Sequence, residues 1–393
     1  MKDVTAQTNA PSGWKRVKLG DVATITNGKT NAQDAVANGE YPLFDRSVSI
    51  KRSNKYLFDG TAVILPGEGA DFVPRFYSGK FDLHQRTYAI FPNEQVDAVF
   101  LFQNLNANRE IFAKNAVGST VKSLRLPIIQ AVDVLLPSLL EQKKIAEILG
   151  AVDEEIAKTD EIIAATEKLK RGLMRELFAK GIEHSKFKKT NIGEVPSEWQ
   201  LMKLGEIATI TRGGSPRPIE SYITSDDDGL NWLKIGDIKP GAKYIEQTSQ
   251  KIKKSGLSKT TLVQVGDFIL SNSMSFGRPY IMKIEACIHD GWLAFKDIKT
   301  SLISSDFLYY LLSSEVLQDN FWAIAAGSGV KNLKKESVAN VVVALPSVEE
   351  QNQIAEILSA IGEKISINQK LRDEMVLLKK GLMQDLLSGK KRV

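Results

Sequence analysis

The sequence predicts an α+β protein built as a pseudo-two-fold internal repeat, in which two mixed α/β domains are separated by a pair of long antiparallel coiled-coil helices. Three observations carry this: a long-period self-similarity, two extended stretches of helix-spaced apolar residues, and short β-branched runs between turn residues.

The repeat reorganises everything else. Trp14–Gly28 aligns with Trp199–Gly213 at a shift of 185, with identity at nine of fifteen positions. Leu136–Lys180 aligns with Leu345–Gly389 at a shift of 209 without a gap, sharing Leu-Pro-Ser, Glu141-Gln142 and Ile145-Ala146-Glu147-Ile148-Leu149, and resuming at Leu169, Lys170, Gly172, Leu173, Met174 and Leu177. The same shift pairs Gly118-Ser119 and Lys122 with Gly327-Ser328 and Lys331. The two shifts differ by 24, so the second half carries 24 extra residues in its middle, where no similarity is visible. Each half reads as a common frame around a private insert.

Ser138 is placed as an N-cap, with Glu141 as its capping-box partner. Apolar residues then recur at helical spacing at Ile145, Leu149, Val152, Ile156, Ile163, Leu169 and Leu173, until Gly181 supplies a stop. Ile354, Leu358, Ile361, Ile365, Leu371, Leu378 and Leu382 repeat the stripe up to Gly389. At about 1.5 Å per residue each helix runs to roughly 60 Å. A helix of that length with one apolar stripe needs a partner, and the nearest is its own repeat. Two separate helices, each lying on its own domain, is the competing arrangement.

Val22–Thr26, Thr61–Leu65, Thr87–Phe91, Val132–Leu135, Ile207–Thr211, Phe268–Leu270, Tyr280–Ile284 and Val341–Leu345 read as strands, and Asp97–Asn104 and Asp306–Ser313 as helices. The boundaries follow: residues 1–136 form the first domain, 137–181 the first long helix, 182–196 a linker, 197–345 the second domain and 346–389 the second long helix. The linker, with Lys186, Lys188, Lys189 and Gly193, has the polar, turn-forming character of a connector.

With 393 residues, 43% of them apolar and 25% charged, the chain has the composition of a multi-domain globular protein and not of a disordered or collagenous one. Cys287 is the single cysteine, so no internal disulfide is possible and a cytoplasmic location is expected. No uninterrupted apolar stretch of about 18 residues occurs, which argues against a membrane span. The net charge of +5 comes from 52 basic and 47 acidic side chains, and no block is a polycation. Nucleic-acid binding would therefore need a local basic face.

Catalytic motifs are looked for and not found. Gly28-Lys29-Thr30 resembles the tail of a phosphate-binding loop, but Ala23 stands where the first glycine belongs. Asp133 with Glu141-Gln142-Lys143 has the look of a nuclease set, yet it lies at a helix start and its repeat carries Asn352 in place of lysine. His84, His184 and His289 are far apart, and Cys287 with His289 offers at most two ligands to a metal. Gly67-Glu68-Gly69 lacks the context of a dinucleotide fingerprint, and Asp226-Asp227-Asp228 reads as a solvated loop. No catalytic residue and no metal site is predicted.

Contact chemistry is richer. The first insert interleaves basic and short polar side chains at Lys29, Arg46, Ser47, Lys51, Arg52, Asn54, Lys55, Arg75 and Lys122. The second does so at Arg212, Ser215, Arg217, Lys234, Lys251, Lys253, Ser271, Asn272, Ser273, Arg278 and Lys331. Such groups suit hydrogen bonds to phosphates and base edges of DNA.

A Trp-x-x-x-x-Leu-Gly entry (Trp14, Leu19, Gly20; Trp199, Leu204, Gly205), an insert, a Gly-Ser turn, and Leu-Pro-Ser with Glu-Gln and Ile-Ala-Glu-Ile-Leu leading to Lys-Gly-Leu-Met resembles the specificity subunit of type I restriction-modification systems. The resemblance covers nearly the whole chain, and its double occurrence makes it specific. It implies two target recognition domains, each reading half of a bipartite sequence in double-stranded DNA, with the helices setting their separation and docking DNA adenine methyltransferase subunits. Motor-nuclease subunits are further possible partners. The chain itself would be non-catalytic and bind no cofactor, with AdoMet, and ATP and Mg for restriction, on partner subunits. Glu155, Lys158, Glu161, Lys168 and Arg171 on the exposed helix sides would contact the methyltransferase. The specificity subunit of another methylation–cleavage complex, and a two-domain scaffold that does not bind DNA, are the alternatives.

Overall fold

The computed structural model describes residues 10–239, 241–272, 277–326 and 332–393. Ser273 and Lys331, named above as DNA contacts, lie outside the described residues. The chain divides into two compact units, Met1–Ile162 with Asn368–Val393, and Ile163–Ile367. Among the described residues no helix is long and apolar enough to cross a membrane.

In the first unit a six-stranded sheet runs in the spatial order Ala23–Asn27, Thr87–Pro92, Phe58–Pro66, Arg75–Leu83, Tyr41–Phe44 and Lys51–Ser53. Every neighbouring pair is antiparallel except Arg75–Leu83 with Tyr41–Phe44. The central strand is buried on both faces, so it reads as the continuous apolar run Ala62-Val63-Ile64-Leu65 and not as an alternation. Val63 and Leu65 pack against Phe100, Leu101, Leu105 and Phe112 of the helices Ala98–Ala107 and Glu110–Asn115. Ala62 and Ile64 face Phe44, Phe81 and Leu83 on the other side. Lys15–Lys18 pairs with Asp133–Leu136 as a separate two-stranded ribbon.

The second unit repeats this plan, in keeping with the expected pseudo-two-fold repeat, although the inserts show no run of similarity in sequence. Its strands Thr209–Arg212, Trp292–Lys296, Phe268–Ser271 and Pro279–Met282 are neighbours in the same order as the first four above. Arg75–Leu83 is one continuous strand; its counterpart is broken into Pro279–Met282 and Ala286–Ile288, and the latter again pairs in parallel with Leu230–Leu233. Short strands such as Ile223–Thr224 and Tyr244–Ile245 belong to the longer insert. Non-local pairing defines a sheet, so two sequences with only scattered identities close the same one.

Both units fasten the start of a long helix with the same glutamine. Gln142 is buried; its Oε1 accepts the Asp97 N–H (2.9 Å), and its Nε2 donates to the carbonyls of Gln95 and Pro137 (3.1 Å each). Gln351, fully buried, accepts from Ser304 N–H (2.9 Å) and donates to Leu302 and Pro346 (2.9 and 3.0 Å). Asp97 and Ser304 in turn N-cap the helices Ala98–Ala107 and Ser305–Ser313.

The long helices span Leu139–Lys180 and Val348–Leu386. Gly181 and Gly389 follow them in the left-handed conformation, at φ +65° and +70°. In each helix one line of buried and half-buried positions steps alternately by four and three. In the first helix these are Ile145, Leu149, Val152, Ile156, Thr159, Ile163, Thr166, Lys170, Leu173 and Leu177. In the second they are Ile354, Leu358, Ile361, Ile365, Asn368, Arg372, Met375, Lys379, Leu382 and Leu386.

Leu169, Leu371 and Leu378, predicted in the stripe, are instead 55%, 46% and 56% exposed. A strict heptad passes one residue to the side of them, through Lys170, Arg372 and Lys379. Within the first unit the two stretches run antiparallel: Lys379 lies 2.6 Å from Asp153, and Arg372 lies 3.2 Å from Asp160. In the second unit the pair related by the repeat is Lys170 with Gly362, which has no carboxylate. The Lys170 ammonium sits over the Tyr310 ring at 5.4 Å, and burial lowers its pKa.

Ser138 caps its helix as predicted, accepting the Glu141 N–H (3.3 Å), but Glu141 does not complete a capping box. Its buried carboxylate accepts from Nε and Nη2 of Arg392 at 2.6 and 2.7 Å, and Arg392 Nη1 also donates to Ser12 O while the guanidinium lies over Trp14. In the second unit the repeat carboxylate Glu350 accepts from His184 Nε2 (3.0 Å), Trp199 Nε1 (3.2 Å) and Ile182 N–H (2.9 Å). The expected connector 182–196 is therefore pinned at His184, and it continues as the hairpin Phe187–Thr190 with Gly193–Pro196.

Arg392 holds the Glu141 pKa below the ordinary carboxylate value. The stability it contributes is present above the unfolded pKa, about 4.3, and is lost as pH falls through the lower folded value. Thermal melts of Arg392→Ala should show a deficit at pH 7 that closes in acid. A deficit equally large at pH 2 would rule out the ion pair as its cause.

Candidate nucleic-acid interface

In each unit one glycine sets where the loops meet. Gly28 N–H donates to Thr87 O (3.2 Å), and the N–H groups of Lys29 and Thr30 donate to Leu83 O (3.1 and 3.2 Å). A Cβ at Gly28 would stand 1.9 Å from Leu83 O, so only glycine permits this approach. In the second unit Gly213 and Gly214 donate to Trp292 O (2.9 Å) and Ile288 O (3.1 Å), and a Cβ at Gly213 would stand 2.0 Å from His289 O.

Around the first junction the structure gathers Lys29, Arg46, Ser47, Lys51, Arg75 and Lys122. Arg46 and Arg86 both pair with Glu68, Gly69 N–H donates to Lys122 O (3.1 Å), and Arg75 donates to the Ser47 and Val48 carbonyls. Asp45 is buried, which works to raise its pKa; Lys51 at 2.7 Å and the Ser47 hydroxyl and N–H outweigh that and hold it below the ordinary value. Asn54 and Lys55 follow Ser53, whose hydroxyl shares the Asp82 carboxylate with Thr30 of the junction, whereas Arg52 is engaged elsewhere. Arg52 opposes Pro42 across the ribbon and is occupied by the carbonyls of Gly39 (2.9 Å) and Glu40 (2.8 Å).

In the second unit Arg212 Nε donates to Asp290 O (3.1 Å) and Ser215 Oγ to the Asp290 carboxylate (2.7 Å). Lys251 and Lys253 reach the carbonyls of Asp227 and Ser221, both at 3.0 Å, and Lys234 starts a short 3-10 turn by donating its N–H to Asp237 (2.8 Å). Arg217 and Arg278 are exposed.

Two predicted contacts are corrected here. Ser271 and Asn272 are buried, at 4% and 0% exposure. Ser271 Oγ accepts the Arg278 N–H (3.1 Å), and Asn272 Nδ2 donates to Asp290 O (3.0 Å). Phe268–Ser271 is a fully buried strand, so the polar residues that end it stay inside.

Several cations therefore staple main chain, and others remain available. Among the described residues the side chains of Lys29, Lys55, Lys122 and Arg217 make no hydrogen bond or ion pair, and all four are exposed. Arg86 and the two histidines of these junctions were missed by the sequence reading. The one available signal was a histidine placed three residues before the strands Thr87–Pro92 and Trp292–Lys296.

Among the described residues no group of three His, Cys, Asp or Glu side chains converges on a metal-sized site. Cys287 is fully buried, and burial pushes its thiol up to about 11, away from the reactive range.

Comparison with known proteins fits this geometry. The family model for the type I restriction modification DNA specificity domain matches residues 11–168 and 196–375. The type I restriction enzyme MjaVIII specificity subunit of Methanocaldococcus jannaschii is 28% identical over 98% of this chain and 94% of its own length. A putative type I restriction enzyme MjaX specificity subunit of the same organism is 31% identical over 81% and 74%. The crystal structure of a type I restriction-modification S subunit from M. genitalium superposes with a TM-score of 0.65 at 17% identity, covering 98% of each chain, which speaks to the fold. With two copies of the family domain filling most of its length, each on a sheet that shares the order of four strands with the other, the chain belongs to the type I restriction-modification specificity subunit family.

Proposed function

We propose that this chain is the non-catalytic, sequence-specific DNA-binding subunit of a restriction-modification complex. It reads a bipartite, asymmetric target in double-stranded DNA and positions adenine methyltransferase subunits, and restriction subunits where present, on that target. The observation that carries this reading is one scaffold used twice with different loop chemistry at the same junction: Lys29, Arg46, Arg86 and Lys122 in one unit, Arg212, Ser215 and Arg217 in the other. A matched frame presents each domain to DNA alike, and unlike loops give unlike half-targets.

Partner docking is supported by apolar residues that the helix seam leaves out. Leu371, Leu377 and Leu378 are exposed on the second helix, and Ile162 on the first, next to the predicted charged set Glu155, Lys158 and Glu161. Lys168 and Arg171 are likewise exposed on their own unit. AdoMet, and the ATP and Mg of restriction, belong on this reading to the partners.

The test is a length change that preserves the seam. Inserting one heptad into each long helix, about 10 Å of rise, should lengthen the preferred gap between half-targets by about three base pairs at roughly 3.4 Å each. Selection from a random DNA pool reads this directly. An unchanged gap would remove the helices as the measure of target length.

A further inference from the structure

We infer that His84 and His289 are a matched pair of phosphate-contact residues, each presenting its Nε2–H to a backbone oxygen of DNA from the same turn of the two recognition domains. This deepens the DNA-binding reading above and rests on it.

The two turns share three bonds. Thr87 N–H donates to His84 O (2.9 Å), and Trp292 N–H donates to His289 O (3.1 Å). The strand before each turn receives the glycine junction: Leu83 O accepts Lys29 N–H, and Ile288 O accepts Gly214 N–H. In both, the ring Nδ1 accepts the main-chain N–H two residues on, from Arg86 at 3.1 Å and from Gly291 at 2.9 Å.

An Nδ1 that accepts carries no hydrogen, so the neutral ring keeps its hydrogen on Nε2. Burial lowers the pKa of both rings, which favours that neutral form. Asp290, 3.9 Å from Nδ1 of His289, therefore faces an uncharged ring. Around His84 the carboxylates of Asp45 and Glu68 are met by Lys51, Arg46 and Arg86. Neither Nε2 has a partner among the described residues, and neither belongs to the buried unpaired atoms, so both donors reach solvent.

Symmetry names the acceptor. The domains differ in the loops that would distinguish bases, and within the turns Gln85-Arg86 stands against Asp290-Gly291, whereas the histidine and its bonds are the same. A feature shared by two readers of different sequences carries no sequence information, and the part of DNA that is equally invariant is its sugar-phosphate backbone. A fixed neutral donor suits a phosphate oxygen whose charge is met by nearby cations: Lys51, Arg46 and Arg86 around His84, and Arg212, which donates to Asp290 O, at the other turn.

The experiment uses the full chain with its methyltransferase partner and duplex DNA. His84→Asn and His289→Asn keep an acceptor for the turn through Oδ1 and delete the Nε2 donor. Each should weaken binding about threefold to tenfold, by the same factor on target and unrelated DNA, with the salt slope and melting temperature unchanged. Gln at the same positions returns a donor at similar reach and should restore part of the loss. A methylphosphonate walked along the duplex should locate one phosphate per half-target whose replacement costs the wild type and not the Asn variant.

Asn variants that bind like wild type would reduce the histidines to turn caps, and a loss confined to one half-target sequence would make them base readers; either overturns the inference while leaving DNA binding intact. A wild-type complex with no salt-dependent DNA affinity would overturn the function proposed above as well.

Discussion

Gln351→Leu is expected to destabilise the unit 163–367 by about 3–5 kcal/mol, visible in chemical denaturation with the full chain. The glutamine is fully buried and serves three main-chain groups: the Ser304 N–H and the carbonyls of Leu302 and Pro346. Leucine matches its bulk and can serve none, so one donor and two acceptors lose their partners in a dry interior, each at about 1–3 kcal/mol. Gln142→Leu should do the same to the other unit through Asp97, Gln95 and Pro137. With no shared partners, the two losses should add within about 0.5 kcal/mol. A loss under about 1 kcal/mol would mean that the freed groups find water and that the clamp is incidental.

The largest effect on binding should come from the unpaired cations. Lys29→Ala, Lys122→Ala and Arg217→Ala combined should reduce the slope of log affinity against log salt by about 2–3, at about 0.9 per phosphate contact, and lower affinity roughly a hundredfold near 0.1 M salt. The loss should be the same on target and unrelated DNA. Arg52→Ala is the contrasting control: its guanidinium is spent on Gly39 and Glu40 carbonyls, so it should lower stability and leave the slope alone. A triple variant with an unaltered slope would place the DNA path away from these loops.

How much of this was legible in the sequence depends on the range of the interaction. The frame was, because the helix-start motif Ser138, Glu141 and Gln142 is compact in sequence and recurs intact at Ser347, Glu350 and Gln351, even though Glu141 and Gln142 bond to distant residues. The seam was half legible. Leucine is an attractive choice for a stripe, but Leu169, Leu371 and Leu378 lie one residue outside the heptad, and the positions inside it are held by Lys170, Arg372 and Lys379, whose long apolar stems pack while their charges find Asp160, Asp153 or the Tyr310 ring.

The shared topology of the inserts was not legible. It is written in pairings such as Ile64 with Ala89 and Ile269 with Ala294, and the identities inside the inserts, these two among them and His84 with His289, are too scattered to reveal it. Nor could composition separate cations spent on carbonyls from those left free, since that depends on which loop lies opposite.

The charged rungs of the long helices have a bearing on accuracy. An all-aliphatic zipper would cling more tightly, yet it would accept any slide of one heptad with little penalty. With Asp153 against Lys379 and Asp160 against Arg372, such a slide leaves at least one ion facing hydrocarbon. If the helices measure target length as proposed, a register fixed in this way keeps that measure at some expense of grip, and aliphatic residues at the four positions should yield a sturdier molecule with a less sharply defined gap.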